Sequence, residues 1–92
     1  MEPSAAIVAP YDDRRLDEVA AMLARAFVDD PLYRWFFPDD RSRLRKVGAF
    51  VTAEVRIASV AGRVDLAVDS AGRLLGAALW GLPGRYPFPT GI

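Results

Sequence analysis

The sequence predicts an α/β domain of the α+β kind, in the order β-α-α-β-β, with an antiparallel strand pair packed by two helices. Two long segments, 16–27 and 44–58, repeat their apolar residues at helical spacing. A third, 64–69, alternates apolar and polar residues with the period of a strand that has one wet face. Proline and glycine stand at the joints between these segments, where chain breaks belong.

The first element is Ile7-Val8-Ala9-Pro10, a short apolar run closed by a proline, which suits an edge strand. Asp12 and Asp13 follow and supply oxygens for the orphan amides of a helix start. Leu16, Val19, Ala20, Leu23 and Phe27 then form one helical stripe, with Asp17 and Glu18 at the positive end of the dipole. Asp29-Asp30-Pro31 stops this helix. Proline lacks the amide that a helix interior needs but is welcome at a first position, so Pro31 opens a further turn or two over 32–37, capped by Asp30, before Pro38. Asp39-Asp40 is read as the cap of the next helix, about twenty residues long by the usual stop signals. Its face is Leu44, Val47, Val51, Val55 and Ala58, and Gly62 is expected to close it in a left-handed cap. Val64, Leu66 and Val68 alternate with Asp65, Ala67 and Asp69 as a strand; Ser70-Ala71-Gly72 turns the chain. Leu74 to Trp80 is apolar on both sides, the pattern of a strand covered on both faces. Residues 1–84 read as one domain and 85–92, rich in proline and aromatics, as a connector tail.

Composition narrows the function classes. The chain has 92 residues, 52% hydrophobic and 26% charged, enough for one small domain or part of a larger one. A chain this short hides only about 60–65% of the surface it exposes when unfolded, so its stability is expected to be marginal unless something else covers it. It contains no cysteine and no histidine, which removes disulfides, thiol nucleophiles, His-based triads and zinc sites built on those ligands. Twelve basic residues balance twelve acidic ones, against the basic surplus that supplies most nucleic-acid affinity. No apolar stretch is long enough to span a membrane, and Met1-Glu2-Pro3-Ser4 lacks the basic start of a secretory signal, so a cytoplasmic protein is expected.

Four segments, in this order, carry a resemblance. Tyr11-Asp12 follows the first strand, and Ala26-Phe27-x-x-Asp30-Pro31-x-x-x-Trp35-x-Phe37-Pro38-Asp39 links the first two helices. Val64 to Asp69 forms the next strand, and Gly76-Ala77-Ala78-Leu79-Trp80-x-x-Pro83-Gly84 closes the third. Together they resemble the N-terminal half of a GCN5-related N-acetyltransferase (GNAT) domain. The resemblance implies transfer of an acetyl group from acetyl-CoA to a small-molecule or peptide amine, with an oxyanion held by a backbone amide of a fourth strand. It also implies a cofactor pyrophosphate seated on a glycine-rich turn of the form R/Q-x-x-G-x-G/A at a helix start. That turn is missing here, so no cofactor-binding or catalytic residue carries over, and the 92-residue chain by itself is expected to be inactive. What maps onto it is the family's acceptor side. By that likeness Phe27, Asp30, Tyr33, Trp35 and Phe36 are candidate substrate-binding residues, joined by Glu54 and Trp80.

The residues also admit plainer readings. Aromatic side chains dominate small cores, so Phe27, Phe36, Phe37 and Phe50 are expected inside, with Tyr33 and Trp35 the exceptions. The paired aspartates suit helix caps better than acid–base work or a metal ion. Arg41, Arg43, Arg45 and Lys46 spread around their helix as a solvated face, and Glu54, one position before the apolar stripe, reads as a surface charge. The alternative function is a small self-associating module. The last strand is the most apolar, and no strand pattern follows it, so its edge is expected to meet either a second copy or the missing C-terminal half of a longer fold.

Overall fold

The computed structural model describes residues 5–82; the expected connector at 85–92 lies outside them. The elements are β1 (Ile7–Pro10), a single 3-10 turn (Asp13–Arg15), α1 (Leu16–Phe27), α2 (Pro31–Phe36), α3 (Arg43–Ala61), β2 (Arg63–Val68) and β3 (Leu74–Trp80). This is a small α+β fold with three helices and a three-stranded antiparallel sheet in the order β1-β2-β3. The expected strand pair is extended to three because β1 adds to the free side of β2, Ile7 opposite Val68 and Ala9 opposite Leu66. On the other side of β2, Val64 faces Leu79 and Leu66 faces Ala77. No helix among the described residues is long and apolar enough to cross a membrane.

The capping chemistry is largely as the sequence implies. Asp12 accepts from the Arg14 amide at 2.8 Å and so starts the 3-10 turn that leads into α1. Asp30 accepts from the Leu32 amide at 2.9 Å, with Pro31 as the first residue of α2. Asp39 instead braces the turn ahead of α3, accepting from the Arg41 amide at 3.2 Å and the Ser42 hydroxyl at 2.9 Å; the helix itself begins at Arg43. The solvated-face reading fails for Arg43, which is only 6% exposed. Its guanidinium donates to the Phe37 carbonyl at 2.8 Å and the Pro38 carbonyl at 3.1 Å, and pairs with Asp40. Backbone oxygens in a tight helix–helix link need donors, and a long forked side chain supplies them where an aliphatic one could not. Leu44, expected on the inner face, is 49% exposed instead.

The core is aliphatic and small. One cluster joins Val19, Val55 and Ala58 to Val64, Leu66 and Val68; a second joins Ala20, Ala24, Val47 and Val51. Among the described residues no aromatic is buried, which corrects the expectation that rings fill the core. Ala20 and Ala24 on α1 lie against α3 near Gly48, where a Cβ would stand 4.0 Å from that of Ala24. Helices this close leave methyl-sized gaps, so Phe27, Tyr33, Phe37 and Phe50 stay at the rim.

Two glycines have distinct reasons. Gly62 ends α3, but not in the expected left-handed conformation: its φ is −134°. It is needed because the backbone of β3 passes so close that a Cβ would overlap the Trp80 carbonyl oxygen. Gly72 is the left-handed one, with φ of 80°, in the hairpin between β2 and β3. There Asp69 accepts from the Ala71 amide at 2.9 Å and the Arg73 amide at 2.8 Å, and these bonds hold its carboxyl below the usual carboxylate range.

Of the two-face covering expected for β3, the described residues supply one face. Leu79 and Ala77 face the helices, whereas Gly76, Ala78 and Trp80 share the opposite face with Ala67 and with Val8, which is 76% exposed. No described residue packs over that face. The outward members of the run are mostly glycine and alanine, which leave little side chain to bury.

Candidate functional site

Two concavities flank β3, one on each face of the sheet. The cavity on the open face encloses about 290 Å³ between Val8, Ala67, Gly76, Ala78 and Trp80, with Asp65 as its carboxylate. That charge is already engaged. The Trp80 indole donates to it at 3.0 Å, and Arg63 pairs with it at 3.0 Å while its guanidinium lies 5.9 Å from the Trp80 ring centre. Among the described residues that line this cavity, no charged side chain is left without a partner.

The cavity on the helical face is smaller, about 220 Å³, and chemically different. Leu23 and Phe27 enter it from α1, Tyr33 from α2, Val51 and Glu54 from α3, and Ala77 and Leu79 from β3. Its construction follows from the local sequence. Asp30 and Pro31 end one helix and start the next within four residues of Phe27, so Tyr33 folds back with its ring 5.7 Å from that of Phe27. The same ring meets Phe50 edge-on at 5.9 Å, which ties α2 to α3. Glu54 lies three residues beyond Val51 and therefore on the same side of α3.

Glu54 is the unusual member. Its side chain is half-buried, and among the described residues it has neither a hydrogen bond nor an ion pair. Burial alone raises its pKa above the ordinary value, because the charged form loses water and gains no partner. Tyr33 is pushed upward as well, first by burial and then by the negative charges of Glu54 and Asp30. The cavity is thus an apolar, aromatic-walled space of negative potential. It suits a small cation that carries hydrocarbon, since Phe27 and Tyr33 offer ring faces and Glu54 the counter-charge.

Of the residues selected from sequence, Phe27, Tyr33 and Glu54 meet here. Asp30 borders the group but spends its carboxylate on capping α2. Trp35 and Phe36, 75% and 53% exposed, stack edge-on at 5.2 Å outside the cavity. Trp80 lies across the sheet, on the open face. Glu54 does not fit the surface-charge reading: Val51 and Val55 beside it on α3 are held at the core, and this turns it partly inward. Leu23, Val51, Ala77 and Leu79 read as ordinary core positions, and no sequence signal separates a cavity wall from a core.

No three potential metal ligands converge among the described residues. Nor do these residues fit the pyrophosphate of acetyl-CoA. The starts of α1 and α2 carry carboxylates where an anion would have to sit, Asp12, Asp13, Asp17 and Glu18 at the first and Asp30 at the second. α3 opens on Arg43, whose guanidinium is already taken by the Phe37 and Pro38 carbonyls and by Asp40, with no glycine-rich turn ahead of it. The left-handed glycine lies in a hairpin rather than at a helix start. Comparison with protein-family models, curated proteins and solved structures returns no match for this chain.

Proposed function

We propose that this chain is the acceptor side of a GNAT-type N-acetyltransferase, the part that holds the amine. The observation that carries the reading is the cavity beneath the α1–α2 link, with Phe27 and Tyr33 as walls and Glu54 as a carboxylate that has no partner among the described residues. That link contains the segment on which the family resemblance rests, and the resemblance assigns it to the acceptor cleft. The strand order also supports it, with the helices inserted between two antiparallel neighbours and β3 left with a free edge among the described residues. The residues do not fit the acyl donor, so the reading assigns acetyl-CoA to polypeptide outside those described and derives no chemical step from them. A cytoplasmic location belongs to the same reading.

Calorimetric titration with acetyl-CoA tests this division of labour. The chain is expected to give no saturable binding below about 100 μM, an affinity weaker than roughly 5.5 kcal/mol. Micromolar binding would overturn it. In the gene product that carries this chain, release of thiol from acetyl-CoA should depend on an added primary amine, and its absence would remove the acetyltransferase reading altogether.

One observation favours a second reading, a self-associating module. Leu75 and Trp80 on β3 are 55% and 49% exposed beside an edge that no described strand occupies. Sedimentation equilibrium separates the two: a dimer that dissociates when the edge is charged by Leu75→Lys supports the module, and a monomer at about 100 μM counts against it.

A further inference from the structure

We propose that the cavity walled by Phe27 and Tyr33 selects a compact primary monoamine with an aromatic or branched hydrocarbon tail, and that Glu54 is the residue that holds its ammonium group. The inference rests on the acceptor-side reading for its place in a reaction, and on the cavity for its chemistry.

Size sets the first limit. About 220 Å³ is below the volume of most drug-sized sites and fits a single ring with a two-carbon arm, not a sugar, a nucleotide or a peptide segment. Lining sets the second. Besides Glu54, the Tyr33 phenol is the one hydrogen-bonding side chain among the described lining residues, so a ligand with several polar groups would leave most of them unpaired. Charge sets the third. Glu54 is the sole carboxylate in the lining, so one positive charge is matched, and the second ammonium of a diamine would have no counter-charge there.

The surrounding titratable groups agree in sign. Tyr33 faces Glu54 from α2, and Asp30 lies close enough to raise the same phenol further. No basic side chain figures among the influences on Glu54. An entering ammonium would therefore displace no existing ion pair and would meet a carboxylate that has already given up part of its hydration. A charge-assisted bond made under those conditions is stronger than its surface counterpart. Phe27 and Tyr33 pack against each other, ring centres 5.7 Å apart and planes tilted by 39°, so together they form one aromatic wall against which a hydrocarbon tail or a cation can lie.

The probe is 2-phenylethylamine, titrated calorimetrically into the chain at neutral pH, beside 2-phenylethanol, which matches it in shape but not in charge. The amine is expected to bind with a dissociation constant below about 1 mM and the alcohol at least roughly tenfold more weakly. Glu54→Gln keeps the volume of the side chain and should bring the two ligands to about equal affinity. Acidification through the raised pKa of Glu54 should weaken the amine and leave the alcohol unchanged. Equal affinities for amine and alcohol in the unaltered chain, which needs no variant to fold, overturn the proposal; so does the lack of saturable amine binding up to about 10 mM. The acetyl-CoA titration bears on the acceptor-side reading alone, so failure of that reading and failure of the amine site are told apart.

Discussion

Replacing Gly62 with alanine should damage both the fold and the cavity, because this residue is where α3 touches the end of β3. The added Cβ would overlap the carbonyl oxygen of Trp80 and would stand 3.2 Å from its carbonyl carbon and 3.3 Å from the Ala58 carbonyl oxygen. All three atoms are backbone, so no side chain can swing away to make room. Either α3 lifts from β3 or the Arg63–Trp80 pairing at the mouth of the hairpin opens. Overpacking that forces backbone movement costs about 1–3 kcal/mol, and the absence of a flexible neighbour puts this case near 2–3 kcal/mol. In a domain of this size that corresponds to a fall in Tm of roughly 10–20 °C, or a urea midpoint lower by about 2 M. Circular dichroism during thermal and urea unfolding reads both. The movement would also separate Glu54 and Val51 on α3 from Ala77 and Leu79 on β3, so amine affinity should drop in the variant that remains folded at low temperature. A Gly62→Ala chain with an unchanged midpoint would refute the close approach and the role given to it.

Arg43→Ala should cost about 2–3 kcal/mol, since it strips the donors from the Phe37 and Pro38 carbonyls in a part-buried link. Asp40→Ala should cost under about 1 kcal/mol, because that carboxylate is largely solvent-exposed; equal losses in the two unfolding midpoints would contradict the assignment. Gly48→Ala should stabilise the chain by about 0.5–1 kcal/mol: the position is inside α3, and the new methyl would meet Ala24 at the ordinary distance of 4.0 Å. Glu54→Gln should be more stable than the parent at neutral pH. The raised folded pKa means that the parent is favoured while Glu54 is protonated, below its ordinary value of 4.5, and loses that advantage as pH rises through the folded value. Urea midpoints across pH 4–8 should therefore converge at the acid end, and a constant difference would argue that Glu54 keeps its water.

Most of the fold could be read from residue spacing, and the departures have local causes. The bounds of β1, α2 and β3 follow from Pro10, from Asp30-Pro31 and from the apolar run that ends at Trp80, signals that act within a few residues. The position of Gly62 after a helix implies a left-handed cap, the usual use there, but its reason is a strand that arrives from eighteen residues further along. Arg43 looked like one charge among several because the carbonyls that it serves have no signature in sequence. Size alone places Phe27, Phe36, Phe37 and Phe50 inside, yet Ala20, Ala24 and Gly48 draw α1 and α3 too close for rings. The candidate site shows the same division. Phe27 and Tyr33 could be chosen from the resemblance and from the helix break between them. Glu54 came inward because Val51 and Val55, its near neighbours on α3, are held at the core, a tertiary fact.

The central claim is that a cation with a hydrocarbon tail sits between the helices and the inner face of β3. A proton–nitrogen correlation spectrum of the labelled chain, recorded during titration with 2-phenylethylamine, tests it most directly. The account predicts saturable shifts grouped at Phe27, Tyr33, Val51, Glu54, Ala77 and Leu79, with Val8 and Ala67 on the opposite face unmoved. Shifts centred on Val8, Ala67 and Trp80, or none that saturate, would contradict it.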